Sequence, residues 1–220
     1  MPRSPIIPPT PAEEAYRAEQ DQGEVFTRDD PLALFENWFA LACAKEPNDA
    51  NAMALATAGA DGQPDVRMVL LKDFNADGLT FFTHANSAKG LQLANNPRAA
   101  LLFHWKSIRR QVRFRGLVSV AGAEEADAYF AERARSAQIG AWAARQSETL
   151  DDRAALIAAT KVIEAKYQGR DVPRPADWIG YRLIPSAIEF WVNRPFRLHD
   201  RLLFERSAPA GPWTSQLLYP

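Results

Sequence analysis

The side chains of this sequence that can do chemistry are cations set beside hydroxyls, amides and one imidazole, in four short segments. Arg67-Met-Val-Leu-Leu-Lys72 carries two cations five positions apart. Thr83, Ser87 and Lys89 form the second group, and Tyr129, Arg133 and Arg135 the third. Arg197-Leu198-His199-Asp200-Arg201 is the fourth. Guanidinium, ammonium and hydroxyl groups in such sets are the usual grip on a phosphate, arginine as a bidentate fork and lysine as a point charge. A helix starting at Ser87 would also aim free backbone N–H groups at an anion. Each segment has a plainer reading: a strand charged at both ends, a capped surface helix, a solvated helix face, an exposed strand face. Trp191 can stack on a flat ring or simply fill core.

Other chemistries lose support. His84, His104 and His199 lie far apart, without metal-ligand spacing, so no metal site is expected. There is no G-x-S-x-G elbow, P-loop or Rossmann glycine fingerprint. The single cysteine, Cys43, rules out an intramolecular disulfide and fits a reducing compartment. A formal net charge of -1 argues against a nucleic-acid partner. The opening MPRSPIIPPTP lacks a signal peptide's apolar region, and no window is apolar for long enough to span a bilayer. A soluble, cytoplasmic protein is expected.

The elements that must position these groups follow from local pattern. Residues 1–29 are proline-rich, then polar, and read as a mobile arm. Asp30-Pro31 starts a helix whose stripe is Leu34, Phe35, Trp38, Leu41 and Ala42, ending near Lys45. Runs at 53–58, 66–74 and 79–84, separated by turns containing Asp61-Gly62 and Asp77-Gly78, predict an antiparallel meander. A short helix capped by Ser87 and strands at 98–105 and 110–122 come next. Helices are expected at 123–135, 138–146 and 151–167, the last stopped by Gly169. IGYRLIP, AIEFWVN, RLLFERS and WTSQLLYP read as a second strand block. On a strand, Arg197, His199 and Arg201 would share one face. The whole is an α+β domain, mainly antiparallel β, built on a barrel or sandwich with peripheral helices.

Taken in order, DPLALFENWF, RMVLLK, FFTHANSAK, NNPRAALLFHW, RQVR, RARSAQIGAWAARQS, IEFW and RLHDR resemble the pyridoxamine 5'-phosphate oxidase family. The resemblance covers Asp30 to the C-terminus. It implies a split β-barrel FMN-binding oxidase domain over 30–220, working as a homodimer with FMN at the subunit interface. It implies oxidation of pyridoxamine or pyridoxine 5'-phosphate to pyridoxal 5'-phosphate, with O2 as acceptor and H2O2 released. Carried over by position, Arg67, Lys89, Thr83 and Ser87 would hold the FMN phosphate. Met68, Lys72, Phe82, Gln111, Gln146, Ser147, Trp191 and Arg201 would line the rest of the flavin. Lys72, Tyr129 and Arg133 would bind the substrate phosphate. Arg197, Leu198 and His199 would meet the pyridine ring, with Arg197 and His199 as the catalytic pair; whether His199 is a base or an orienter stays open.

The chain departs from the family pattern in places. Ala88 stands where many members have arginine, and Ala137 where many have serine. Asn193-Arg194-Pro195 replaces a glycine pair, and LLYP replaces an R-L-x-P ending. Two alternatives remain: a phenazine-pathway type of flavin oxidase, and a non-catalytic FMN- or pyridoxal-phosphate-binding protein.

Overall fold

The computed structural model describes residues 12–17 and 22–220. Residues 1–11 and 18–21 of the expected arm lie outside the described residues. Along the chain come α1 (Glu13–Arg17), α2 (Pro31–Lys45), β1 (Ala52–Ala58), β2 (Pro64–Leu70), β3 (Asp73–Asn75), β4 (Gly78–His84) and α3 (Ala88–Asn95). Then follow β5 (Arg98–Trp105), β6 (Arg110–Val120), α4 (Ala123–Glu132), α5 (Arg135–Ala143) and α6 (Arg153–Lys166). The last are β7 (Trp178–Val192), a 3-10 turn (Pro195–Arg197), β8 (Asp200–Glu205) and β9 (Thr214–Leu218). No helix among the described residues is long and apolar enough to cross a membrane.

The nine strands form one antiparallel sheet, ordered β2-β1-β5-β6-β7-β4-β3, with β8 on β7 and β9 on β8. The sheet curls around α2. Asp30 caps this helix, its Oδ1 accepting from Ala33 N at 2.8 Å, and Pro31 opens the first turn. The helix buries Leu34, Phe35, Trp38 and Ala42. The Phe35 ring meets Phe74, Phe103 and Phe114 at centroid distances of 5.0, 5.2 and 4.9 Å, and Trp38 meets Phe190 edge-on at 5.1 Å. Residues 22–26, inside the expected arm, dock on this core. Val25 is buried, and its carbonyl accepts from Trp38 Nε1 at 3.2 Å.

Four expectations need correction. The run 66–74 is not one strand. It breaks after Leu70, so β2 pairs with β1 while β3 pairs with β4 at the other end of the sheet order. The backbone turns between them, with Leu71 N bonded to Asn51 O and Lys72 N to Thr80 O. The predicted helix 123–135 stops at Glu132, where Arg133 is extended (φ -68°, ψ 146°). No glycine or proline marks that break. Gln138 Nε2 satisfies the released carbonyls, donating to Phe130 O and Ala131 O at 2.8 and 3.3 Å. IGYRLIP and AIEFWVN form one strand, β7, rather than two. A register shift opposite Arg115 and Gly116 absorbs the proline that pattern alone took for a break. Finally, Arg197 and His199 are not on a strand with Arg201. Pro195 opens a tight turn, Phe196 and Arg197 have positive φ (57° and 64°), and β8 starts only at Asp200.

Candidate functional site

A cleft of about 700 Å³ opens between the edge strand β2, the end of β4, the start of α3, and the α4–α5 pair. Its lining includes Met68, Lys72, Phe82, Thr83, Lys89, Tyr129, Arg133 and Gln146. Members of the first three expected segments therefore converge here, while Arg135 turns away to donate to Tyr167 O and Arg170 O at 2.6 and 2.9 Å, and two cationic subsites can be told apart.

The first subsite is built on the turn from β4 into α3. Ser87 caps α3 through Gly90 N, and its hydroxyl donates to His84 O at 2.7 Å. Gly90 lets the helix sit on that turn, because a Cβ there would lie 2.2 Å from Ala85 O. Lys89 is only 7% exposed. Its ammonium donates to Gln146 Oε1 at 2.8 Å, Thr83 Oγ1 at 3.3 Å and Ser87 Oγ at 3.4 Å. All three acceptors are neutral. Burial pulls the Lys89 pKa below its ordinary value, and the charge of nearby Arg67 adds to that effect. The Ser147 hydroxyl accepts from Ala88 N at 3.1 Å, on the same helix start. Arg67 itself is turned to one side. Its guanidinium donates to Thr57 Oγ1, to Gln92 Oε1 at 2.9 Å and to Asp65 Oδ2 at 2.5 Å.

The second subsite is built on aromatic rings. Phe82 stacks on Tyr129 at 4.4 Å and on Trp178 at 5.1 Å. Arg133 lies over the Trp178 ring at 4.8 Å, and Lys72 Nζ lies 5.4 Å from the Tyr129 centroid. Burial lowers the Arg133 pKa, and its Nη1 is a buried donor with no hydrogen-bond partner among the described residues. A buried unpaired guanidinium nitrogen is expensive unless a ligand completes it. The break after α4 gives Arg133 this position. Arg67 and Lys72 are thus held apart, the first against Thr57, Gln92 and Asp65 and the second beside the Tyr129 ring.

The remaining expected residues are elsewhere. Gln111 pairs with Trp191 across β6 and β7, and Trp191 pairs with Arg201 across β7 and β8. The His199 ring packs against Trp191 with centroids 4.5 Å apart. Arg201 donates through Nε to Glu189 Oε1 at 2.9 Å and through Nη1 to Tyr219 O at 2.9 Å. Arg197 and Leu198 are exposed on the preceding turn, Leu198 at 66%.

None of these six residues is among those that line the cleft. Met68, Ala54, Leu102, Arg113 and Glu189 are successive register partners across the sheet. Four inter-strand steps along the curled sheet therefore lie between Met68 and Glu189, and Trp191 is two residues further along β7. Thr83 pairs with Ile179 near the opposite end of β7. Both Met68 and Trp191 project from the outer face of the sheet, away from α2. Val66 and Met68 are each 63% exposed on that face.

Several neighbours carried no sequence signal, because they depend on pairing between separate segments: Gln92 beside Arg67, Trp178 under Arg133, and Glu189 against Arg201. His84, set aside as a metal ligand, lines the cleft with Nδ1 3.1 Å from Asp177 Oδ2.

Comparison with known proteins gives a consistent result. A family model described as pyridoxamine 5'-phosphate oxidase matches residues 41–167. A second, described as the pyridoxine 5'-phosphate oxidase C-terminal dimerisation region, matches residues 178–220. A curated relative from Maricaulis maris (strain MCS10), named pyridoxine/pyridoxamine 5'-phosphate oxidase, is 56% identical over 217 residues, covering 98% of each chain. Among solved structures, PhzG from Burkholderia lata 383, in complex with tetrahydrophenazine-1-carboxylic acid, superposes with a TM-score of 0.82 at 32% identity. That match covers 88% of this chain and 94% of PhzG. A pyridoxamine 5'-phosphate oxidase-related, FMN-binding protein from Nostoc punctiforme PCC 73102 has the same fold, with a TM-score of 0.69 at 18% identity, covering 88% of this chain and all of that one (100%).

Proposed function

Because the chain belongs to the pyridoxamine 5'-phosphate oxidase family, we propose that it is an FMN-dependent oxidase of phosphorylated B6 vitamers. It converts pyridoxamine 5'-phosphate or pyridoxine 5'-phosphate to pyridoxal 5'-phosphate, with O2 as acceptor and H2O2 as second product. The observation that carries this reading is the pair of cationic subsites in one cleft. The Lys89 ammonium donates to three neutral oxygens, and Arg133 keeps a buried N–H without a partner among the described residues. Each is a socket for a phosphate, and a flavin mononucleotide with a vitamer phosphate supplies two.

The donor set fits FMN. Lys89, Thr83, Ser87 and the N–H groups at the start of α3 hold its phosphate, with Arg67 close enough to swing in. Met68, Phe82, Gln146 and Ser147 flank the same entrance. FMN, when bound, supplies the redox chemistry, accepting a hydride equivalent and returning the electrons to O2. Lys72, Tyr129 and Arg133 hold the vitamer phosphate and so fix the distance of its ring from the cofactor.

Gln111, Trp191, Arg197, Leu198, His199 and Arg201 come from a second copy of the chain. The outward-facing groups, the exposed face of β2 and the match of 178–220 to a dimerisation region support a homodimer. Across that dimer, Arg201, Gln111 and Trp191 complete the flavin pocket. Arg197 and His199 cover the pyridine ring, where a fixed guanidinium favours developing negative charge.

The test is a peroxide assay on FMN-loaded protein with each phosphorylated vitamer. Turnover that depends on the 5'-phosphate is expected. A phenazine-type substrate is favoured by the likeness to PhzG alone, and equal turnover of vitamers lacking the phosphate would support it over the present reading. Flavin binding without peroxide would point to a binding protein.

A further inference from the structure

Arg194 belongs to none of the groups above, yet three contacts converge on it. Its backbone N–H donates to His199 Nδ1 at 3.1 Å. Its Nε donates to Asp200 Oδ2 at 2.6 Å, and its Nη2 to Gly23 O at 2.6 Å.

The first contact fixes the chemistry of the histidine. A backbone amide is a permanent donor, so the nitrogen it meets must be an acceptor. A neutral His199 ring with Nδ1 accepting carries its proton on Nε2. In that form Nε2 donates a hydrogen bond and has no lone pair with which to take a proton. The ring cannot easily turn over, because it lies against Trp191 at 4.5 Å.

The other two contacts hold the amide in place. Gly23 sits on a strap tied to the barrel at both sides. Arg110 Nε donates to Gln22 Oε1 at 3.1 Å, and Trp38 Nε1 donates to Val25 O at 3.2 Å, with Val25 buried. Arg110 in turn lies over the Trp38 ring at 4.6 Å. The strap is therefore a fixed anchor, and the Arg194 guanidinium spans from it to the first residue of β8. Between those points Phe196 and Arg197 hold positive φ, a conformation that persists only where the surroundings impose it.

We propose that Arg194 is a positioning residue that locks His199 as the Nε2–H tautomer, so that His199 meets the vitamer as a hydrogen-bond donor and not as a base. This deepens the oxidase reading and rests on it for the identity of the ligand.

The experiment uses full-length holoenzyme labelled with 15N-histidine. Long-range 1H–15N spectra report the tautomer of each ring, and His199→Asn assigns the His199 signals among three histidines. The expected wild-type spectrum has an unprotonated Nδ1 and a protonated Nε2. In Arg194→Ala the His199 signals should show tautomer exchange, and kcat should fall about tenfold with KM within about twofold. Arg194→Lys, which keeps a donor for Asp200, should recover part of the loss. An Nδ1–H ring in the wild type, or an Arg194→Ala enzyme with unaltered kcat, overturns the proposal. If neither vitamer is oxidised by the wild type, the oxidase reading fails, while the tautomer spectrum still decides this one.

Discussion

Lys89→Met separates a ligand socket from a structural lysine. In the ligand-free chain Lys89 is 7% exposed, and its ammonium meets three neutral oxygens and is repelled by Arg67. Its depressed pKa means that folding strains the charged form. Replacing it with a neutral side chain of similar length removes that strain along with three hydrogen bonds. The ligand-free protein should therefore keep its melting temperature or gain slightly. The flavin pays the difference. A charge-assisted hydrogen bond to phosphate contributes about 1.5–3 kcal/mol, which corresponds to FMN binding roughly 10–150-fold weaker. The pH dependence has a definite sign. Between the lowered folded value and the ordinary 10.5, the unfolded chain binds more protons, so wild-type stability rises with pH through that window. Lys89→Met lacks this rise, and saturating FMN should flatten it in the wild type. Flavin fluorescence quenching at fixed ionic strength gives the affinity, and thermal melts over pH give the stability. FMN affinity within about twofold of wild type, together with a ligand-free protein destabilised by more than about 2 kcal/mol, would refute the reasoning.

Arg133→Met should leave FMN affinity unchanged while raising KM for pyridoxine 5'-phosphate by about tenfold or more, read from initial rates. Its ligand-free stability should change by less than about 1 kcal/mol in chemical denaturation, because the lost group is a partly desolvated guanidinium with an unmet donor. Gly90→Ala should destabilise the fold by about 1–3 kcal/mol and weaken FMN binding as well, since a Cβ 2.2 Å from Ala85 O must push α3 off the turn that seats Lys89.

Much of the fold was legible because local rules and global packing agree in it. Asp30-Pro31 caps its helix, Ser87 caps α3, and β5 runs over the residues its pattern predicted. The failures share a cause. Leu70 to Asp73 carries no breaker, and the strand ends there because its two halves pair with different partners. Arg133 leaves the helix because Gln138, five positions later, satisfies the open carbonyls. Around Arg197 the strand alternation failed where Pro195 and two positive φ values set a turn. For the site, residue types and order pointed to phosphate chemistry. The five-residue spacing of Arg67 and Lys72 already set them on opposite faces of a strand, but the partnerless nitrogen of Arg133 and the placing of Gln111, Trp191 and Arg201 on neighbouring strands β6, β7 and β8 depend on tertiary packing.

The central claim is that one working site is assembled from two chains, and subunit mixing tests it most directly. Lys72→Met/Arg133→Met disables the cleft half, and Arg197→Ala disables the other half; each protein alone should turn over negligibly. Unfolding, mixing in equal amounts and refolding should yield mixed dimers with one intact site each, restoring about a quarter of wild-type activity if pairing is random. Refolded mixtures no more active than the separate variants, despite confirmed subunit exchange, would mean that both halves belong to the same chain.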